Sequence, residues 1–279
     1  MRKVSPLILE NYINPKLPII RVTEKNHKVV SESTKIGSVI DQILGHAFDR
    51  NFRSYFVVDS NKKMKGMLTS TDILSFLGAG PKYKLFPEKK LETHVSRVME
   101  RNPKYMKKHT ILEKALPVFR RAWYGTYPIL QDDEFRGAIT QWDIIKHVKG
   151  KTNLHVSDIM VRKLHVTREE YSLFDTTKMM IRGAFNTLPV THKGILTGFI
   201  TPYEVLRFLD KTNNLTNLRE IDAGTDQVMK RSMFSVKPTD DISDVIFTMK
   251  RTKLSSLPVV HYDEVVGIIN EKDIIDSLY

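Results

Sequence analysis

Four short stretches of the sequence place a hydroxyl or amide side chain three residues before a carboxylate. Before each stretch stands an apolar run that contains a glycine, and after it stand two apolar residues. This order is typical of a strand that turns directly into a helix. A carboxylate beside a hydroxyl group can hydrogen-bond the adjacent hydroxyls of a sugar such as ribose. The pattern therefore predicts up to four sites for a polyol ligand. The stretches are Thr69-Ser70-Thr71-Asp72, Thr140-Gln141-Trp142-Asp143, Thr201-Pro202-Tyr203-Glu204 and Asn270-Glu271-Lys272-Asp273.

The same spacing also has a purely local interpretation. In a capping box the first side chain accepts a bond from the backbone N–H three residues on, and the acid accepts one from the N–H of the cap residue. The acid would also interact favourably with the positive end of the helix dipole. The residues alone leave both interpretations open, a cap only or a cap that also binds a ligand.

The stretches belong to a longer internal repeat. The acid recurs at positions 72, 143, 204 and 273, at intervals of 61 to 71 residues, and a near-fixed period indicates one supersecondary unit repeated. Each copy has the pattern of a strand, an amphipathic helix, two strands and a helix (β-α-β-β-α). The predicted boundaries are 1–27 for an N-terminal segment and 28–80, 95–150, 151–210 and 225–279 for repeats one to four.

One such repeat is too small to bury a hydrophobic core alone. Repeat one should therefore pair with repeat two, and repeat three with repeat four, with a joint near residues 150–153. A five-residue segment that ends in methionine, here called the lead-in, precedes each of repeats two, three and four. Its recurrence strengthens the assignment of the repeats. In repeat two, Pro117 should kink the first helix or delay its start. The lead-ins are Val95–Met99, Val156–Met160 and Thr225–Met229.

Composition limits the class of protein. The 279 residues are 41% hydrophobic and 27% charged, as in a soluble globular protein. No apolar run approaches the ~20 residues of a membrane helix, so we expect no membrane association and a cytoplasmic location. Without cysteine there is no thiolate nucleophile. No nucleophile–base pair or metal motif is visible, so we expect no catalytic residues, no metal site and no enzymatic activity.

The charge is unevenly distributed. Residues 151–279 hold 17 basic and 17 acidic residues, so the net charge of +12 belongs to residues 1–150. Much of the excess lies between Lys82 and Lys108. This asymmetry predicts either an anionic partner, nucleic acid included, or a solvated basic surface.

The whole pattern resembles the cystathionine-β-synthase (CBS) repeat, over about residues 19–279. The resemblance rests on the four turns, on Leu188-Pro189-Val190 and Leu257-Pro258-Val259, and on the stretch from Asn51 to Asp59. Four repeats with no added domain are similar to the gamma subunit of AMP-activated protein kinase and its archaeal stand-alone relatives. The resemblance implies an α/β (α+β) fold of tandem repeats, paired into two Bateman modules that form a flat disc. It also implies AMP, ADP or ATP as ligands, with S-adenosylmethionine possible, and no catalytic cofactor.

The resemblance also implies roles for individual residues. The ribose-binding acid corresponds to Asp72, Asp143 and Asp273, with Glu204 as a longer departure. The hydroxyl corresponds to Thr69, Thr140 and Thr201, with Asn270 as a departure, and Arg53 matches a phosphate-binding arginine. At the position of Arg53 the other repeats have Gly125, Asn186 and Ser255. Four residues earlier stand Arg121, Arg182 and Arg251, whose simplest role is that of cations near a helix C-terminus.

The resulting hypothesis is a non-enzymatic, adenine-nucleotide-binding regulatory module with a role in energy sensing. It would act on an unknown protein partner, and a homodimer is possible. The alternative is a CBS protein that binds nucleic acid through its basic first half.

Overall fold

The computed structural model describes residues 7–45, 54–79, 90–121, 124–163, 165–215, 217–231 and 234–279. Arg53 lies outside these residues, as do Lys82, Lys84 and Lys89. The predicted α/β class and the four β-α-β-β-α repeats are confirmed.

Repeats one and two have the same order of elements. Repeat one comprises β1 (Lys28–Ser31), α1 (Ile36–Gly45), β2 (Ser54–Val58), β3 (Met64–Thr69) and α2 (Ser70–Leu74), which continues as a turn of π-helix over Ser75–Ala79. Repeat two comprises β4 (Met106–Lys107), α3 (Leu112–Arg121), β5 (Thr126–Gln131), β6 (Glu134–Thr140) and α4 (Gln141–Ile145).

Repeats three and four follow the same pattern. The lead-in of repeat three forms α5 (Val156–Ile159), and the repeat continues with β7 (Thr167–Arg168), α6 (Leu173–Gly183), β8 (Leu188–His192), β9 (Ile195–Ile200) and α7 (Pro202–Lys211). Repeat four has α8 (Ile242–Thr252), β10 (Ser256–His261), β11 (Glu264–Asn270) and α9 (Glu271–Ser277). Its predicted first strand is reduced, in the described residues, to a parallel bridge between Val236 and Val259.

The helix of repeat two does not start late, which corrects one of the two predicted effects of Pro117. It begins at Leu112, the position that matches Leu173 in α6 and Ile242 in α8, and it includes Pro117. The ring is on the exposed side of the helix. Leu112, Ala115 and Phe119 keep the buried stripe on the opposite side, so packing of the apolar face outweighs the loss of one backbone donor.

Strand directions bring three chain segments to one edge of each sheet. In repeat one, β1 runs parallel to β2, and β2 runs antiparallel to β3 with Ser54 opposite Thr69. The starts of the first two strands therefore lie at the same edge as the end of the third, where the Thr-x-x-acid turn begins. Repeats two and four repeat this pairing, with Thr126 opposite Thr140 and Ser256 opposite Asn270.

The lead-in segments are exchanged between neighbouring repeats. The lead-in of repeat two bonds to the helix start of repeat one, through Ile36 N–H to Thr93 O at 2.9 Å and Val95 N–H to Thr34 O at 2.8 Å. The N-terminal segment bonds in return to repeat two, through Ile19 N–H to Thr110 O at 2.8 Å. The lead-ins of repeats three and four make the same exchange with repeats four and three. Each repeat is thus bonded to a segment that precedes a neighbouring repeat in the sequence.

The glycine that precedes each turn permits this exchange. A Cβ atom on Gly66 would lie 2.6 Å from Met99 Sδ and 2.7 Å from Glu100 O. A Cβ atom on Gly267 would lie 2.8 Å from Met160 Sδ. Such distances are well inside van der Waals contact, so the lead-in methionine requires a glycine opposite it.

Packing of the helices divides the chain into two compact units. One holds Met1–Asn26, Lys104–Leu164 and Phe234–Tyr279, hence repeats two and four; the other holds His27–Pro103 and His165–Met233, hence repeats one and three. In the second unit the helices that follow the turns of repeats one and three, α2 and α7, pack together. The buried side chains of that contact include Ile73, Leu74, Leu77, Val205, Leu206 and Leu209.

Candidate functional site

The turn of repeat one is a complete capping box. Asp72 Oδ2 accepts bonds from Thr69 N–H at 2.8 Å and from Thr69 Oγ1 at 2.6 Å, and Asp72 N–H donates to Thr69 Oγ1 at 3.2 Å. Thr71 Oγ1 lies 2.9 Å from Thr69 Oγ1. Both Thr69 and Asp72 remain partly exposed, so the carboxylate lies at the protein surface beside two hydroxyl groups.

The turn of repeat two has the same box but is closed to solvent. Asp143 Oδ2 accepts from Thr140 N–H at 2.9 Å and from Thr140 Oγ1 at 2.7 Å. Asp143 Oδ1 accepts from Lys146 Nζ at 2.8 Å and from Glu24 N–H at 3.2 Å. The side chain is 1% exposed, and both of its oxygens have protein partners.

The turn of repeat three uses the longer acid without losing the box. Glu204 Oε2 accepts from Thr201 N–H at 3.0 Å and from Thr201 Oγ1, while Thr201 Oγ1 accepts from Tyr203 N–H at 3.2 Å. Burial raises the pKa of Glu204, and the hydrogen bonds from Thr201 oppose that shift only in part. The carboxyl group lies inside the protein, where its charged form is disfavoured.

In repeat four an amide replaces the hydroxyl. Asp273 Oδ2 accepts from Asn270 N–H at 2.8 Å, and Asn270 Oδ1 accepts from Asp273 N–H at 3.0 Å. Burial raises the pKa of Asp273 to about 7, and the nearby Asp276 adds to the shift while Lys272 opposes it. This carboxyl group therefore titrates near neutral pH, unlike an ordinary aspartate.

The capping interpretation is thus correct for all four turns, and a ligand role for the same acids stays a prediction. Capping uses one carboxylate oxygen, Oδ2 or Oε2, in each turn. The structure brings each predicted hydroxyl or amide together with its predicted acid. Arg53 lies outside the described residues, so its predicted phosphate contact stays a prediction as well.

The sequence analysis missed a second hydroxyl group at each turn. A serine or threonine occupies the start of the middle strand, opposite or next to the cap residue across the sheet edge. Thr187 is the most enclosed of these, and its buried Oγ1 has no hydrogen-bond partner among the described residues. The signal was available, because the four residues precede the same apolar run: Ser54, Thr126, Thr187 and Ser256.

Repeat three has an open cavity of about 410 Å³ at the same sheet edge. Its aromatic wall is formed by His165 and Phe185, whose ring centroids lie 4.7 Å apart at 38°. These residues precede β7 and β8, which start at the edge where β9 ends and Thr201 begins the turn. Lys178 and Arg182, one turn apart on α6, add two cations to the lining. Neither has a salt-bridge partner within the described ranges.

Asp175, Met179 and Gly183 complete the lining of the cavity. Asp175 is held at the helix start, where its Oδ2 accepts from Ser172 Oγ at 2.8 Å. A side chain on Gly183 would occupy the space of the Phe185 ring. The cavity therefore combines two aromatic rings with two cations that are available to an anionic group. Of its lining, the sequence analysis had singled out only Arg182.

One expectation about the basic residues is wrong. Lys90, part of the predicted basic cluster, is 2% exposed and its Nζ lies 3.4 Å from Leu77 O. Burial lowers the pKa of this lysine, and Arg219 acts in the same direction. Lys90 therefore cannot offer its charge to a large anionic partner from this position.

Two further features of the described residues concern membranes and metal ions. In that part of the chain no helix has both the length and the apolar composition to span a membrane. The same residues contain no group of three or more histidine or acidic side chains that could hold a metal ion.

The comparisons with known proteins agree with the repeat architecture. The family model described as "CBS domain" matches residues 19–79, 95–150, 156–211 and 225–279. Protein MJ1225 of Methanocaldococcus jannaschii, which has no assigned function, is 30% identical over 245 residues, covering 81% of this chain and 88% of its own. An uncharacterised 33.4 kDa protein of Thermofilum pendens is 21% identical over 238 residues, covering 80% of this chain and 79% of its own.

Solved structures give the same result. The crystal structure of MJ1225 has a TM-score of 0.82 at 26% identity, and the match covers 93% of this chain and 99% of that one. That structure's description proposes MJ1225 as an archaeal homologue of g-AMPK. An uncharacterised conserved protein of Pyrococcus horikoshii has a TM-score of 0.62 at 16% identity, covering 93% of this chain and 98% of its own, and shares the fold.

Proposed function

This chain belongs to the CBS domain family, and from that premise we propose that it is a regulatory module that binds adenine nucleotides without performing catalysis. The repeated turns would bind ribose, and the protein would pass the ligand's presence to a protein partner. The observation that carries the proposal is the cavity of repeat three, which has an aromatic wall and two cations. The acid–hydroxyl turn of the same repeat does not line that cavity.

The described residues offer a suitable group for each part of a nucleotide. The His165–Phe185 surface can stack on a purine ring, since aromatic faces stack on bases of any sequence. Lys178 and Arg182 can neutralise a phosphate group through charge-assisted hydrogen bonds. In repeat one, the partly exposed Asp72 carboxylate and Thr69 hydroxyl can accept from and donate to ribose.

Regulation requires that the ligand prefer one conformation of the protein. A ligand shifts a conformational equilibrium only by its difference in affinity for the two states. The turns differ in the exposure of their acids, which suits a regulatory role. Asp72 of repeat one is partly exposed, whereas Glu204 of repeat three is buried. Ligands that differ in charge should therefore occupy the repeats to different degrees.

The test is calorimetric titration of the full chain with AMP, ADP, ATP and S-adenosylmethionine, beside thermal unfolding. A ligand that binds only the folded state stabilises it by about 2.7 kcal/mol at one hundred times Kd. We expect saturable binding of at least one adenine nucleotide and a rise in Tm. If millimolar concentrations of all four compounds leave both measurements unchanged, the proposal is wrong.

The alternative function, nucleic-acid binding, has one structural observation in its favour. Tyr105 and Tyr124 of repeat two are 53% and 49% exposed, and Lys104 Nζ lies 5.9 Å from the Tyr124 ring. Exposed aromatic rings beside cations are typical of single-strand binding. A titration with single-stranded RNA at several salt concentrations separates the two functions, because phosphate contacts give a steep salt dependence.

A further inference from the structure

The N-terminal segment reaches the acid of repeat two in a way that the lead-ins of the other repeats do not. The residue that follows each lead-in donates its N–H to the third strand beside the turn. These bonds are Glu100 N–H to Met67 O at 2.8 Å, Val161 N–H to Ile268 O at 2.9 Å and Lys230 N–H to Phe199 O at 2.8 Å. Glu24 occupies the matching position of the N-terminal segment, but its N–H donates to Asp143 Oδ1 at 3.2 Å.

This bond completes the coordination of the Asp143 carboxylate. Lys146 Nζ occupies the same oxygen at 2.8 Å and lies 3.7 Å from Glu24 Oε1, while Thr140 occupies the other oxygen through two bonds. With 1% of its side chain exposed, Asp143 offers a ribose neither an acceptor nor an approach. Both oxygens of the acid are already hydrogen-bonded within the protein.

The segment that carries Glu24 is fixed to repeat two by other contacts. Leu112 N–H donates to Leu17 O at 3.0 Å, and Glu113 N–H donates to Pro15 O at 3.0 Å, so the segment caps the start of α3. Ile19 is fully buried. The position of Glu24 at the turn is therefore fixed by several contacts of the N-terminal segment and not by its bond to Asp143 alone.

We propose that residues 7–26 act as an internal ligand that closes the repeat-two turn, so that Asp143 binds the chain itself and nucleotide binds only elsewhere. The nature of the excluded ligand rests on the proposed function, whereas the closure itself does not. In this protein the Thr-x-x-Asp pattern of repeat two is therefore retained without a ligand site.

Two variants open the turn. Glu24→Pro removes the N–H donor, and Lys146→Gln removes the charged donor while keeping a side chain of similar length. The double variant should bind one more AMP per chain than the wild type in calorimetric titration. Lys149→Gln, at an exposed lysine four residues after the end of α4, is the matched control and should leave the stoichiometry unchanged. Should Glu24→Pro disturb folding, Lys146→Gln alone provides the second route.

Hydrogen exchange tests the closure without any nucleotide. In Asp143→Ala the amide of Glu24 should exchange at least tenfold faster than in the wild type, while the amides of β8 keep their rates. Unchanged exchange at Glu24 overturns the proposal. So does a titration in which Asp143→Asn loses one of the sites present in the wild type, or in which the double variant gains none. A wild type that binds no nucleotide refutes the proposed function, and the exchange result still decides the closure.

Discussion

Asp241 binds Thr152 across 89 residues of sequence, accepting its N–H at 3.1 Å and its Oγ1 at 2.8 Å. The same carboxylate accepts Asn153 N–H at 2.8 Å and Ser243 N–H at 2.9 Å, so it caps α8 and fixes the chain that leaves repeat two. Burial alone would raise the pKa of Asp241, but the bonds from Ser243 and Thr152 outweigh it and lower the pKa to about 2.

The first prediction is that Asp241→Asn destabilises the protein by about 2 kcal/mol, the scale of a lost charged hydrogen-bond partner. Because the folded pKa is lowered, the stabilisation from Asp241 is present above the unfolded pKa and is lost as the pH falls from about 4 to about 2. Chemical unfolding of the wild type and the variant should converge over that range. Asp244→Asn, in the exposed first turn of α8, is the control and should change stability by less than about 0.5 kcal/mol.

Asp273 gives a pH dependence of the opposite sign. Burial raises its folded pKa to about 7, so the folded state binds a proton between about pH 4 and pH 7 that the unfolded state releases. Stability from this group should therefore decrease as the pH rises through that range. Asp273→Asn should flatten this part of the curve of Tm against pH, whereas Asp263→Asn in an exposed turn should leave it unchanged. Parallel curves for wild type and Asp273→Asn would contradict the raised pKa.

Asp72→Asn separates capping from ligand binding in repeat one. We expect the loss of a charged acceptor to weaken AMP binding by about 1.5–3 kcal/mol, hence about ten- to over a hundredfold. The free energy of unfolding should fall by less than ~1 kcal/mol, as for a weakened cap. Asp158→Asn, which removes the cap acid of α5, should reproduce the stability change without the loss of affinity. A variant that melts lower but binds normally shows that the turn is a cap alone.

Arg182→Ala tests the cavity of repeat three. If its guanidinium holds a phosphate, AMP and ATP should lose affinity by about tenfold, the scale of one charge-assisted bond, while adenosine is little affected. Arg251→Ala removes the arginine at the matching position of repeat four, which does not line this cavity, and should change neither affinity. Equal losses for adenosine and AMP in Arg182→Ala would rule out a phosphate contact. We expect the same pattern for Arg53→Ala.

The final prediction compares two glycines. A Cβ on Gly198 would clash with the backbone carbonyl oxygen of Lys230, so Gly198→Ala should push the exchanged lead-in away and cost several kcal/mol, as overpacking does. Gly45, at the end of α1, has nothing within 4 Å of a built Cβ. Gly45→Ala should therefore stabilise the protein by about 0.5–1 kcal/mol. Thermal unfolding of both variants gives the comparison, and a neutral Gly198→Ala would contradict the close approach.

Local chemistry was the most predictable part of this molecule. The four capping boxes follow from residues three positions apart, and the period of the acids identifies the repeat. The lead-in methionines marked the repeats correctly, although only the structure shows that Met99 lies against Gly66. The glycine and the methionine each recur at a fixed position of the repeat, and this recurrence is the sequence signal for their contact.

Contacts between distant residues were not predictable in the same way. Glu24 and Asp143 lie 119 positions apart, and nothing in either residue type indicates that a backbone N–H from the N-terminal segment reaches the acid. Lys90 appeared to belong to a basic surface because charge counts take no account of burial. The cavity escaped notice because His165 and Phe185 meet only when β7 and β8 align, and neither belongs to the turn.

The exchange of lead-ins also sets an order of events during synthesis. Ile19 bonds to Thr110, so the N-terminal segment leaves the ribosome about 90 residues before its partner strand and helix. At about 5–20 residues per second, its apolar side chains wait for about 5–20 s before repeat two can cover them. Repeat one, in contrast, receives its lead-in directly after its own last helix. The first repeat can therefore close while the N-terminal segment is still exposed, and that interval is when the nascent chain most needs protection from aggregation.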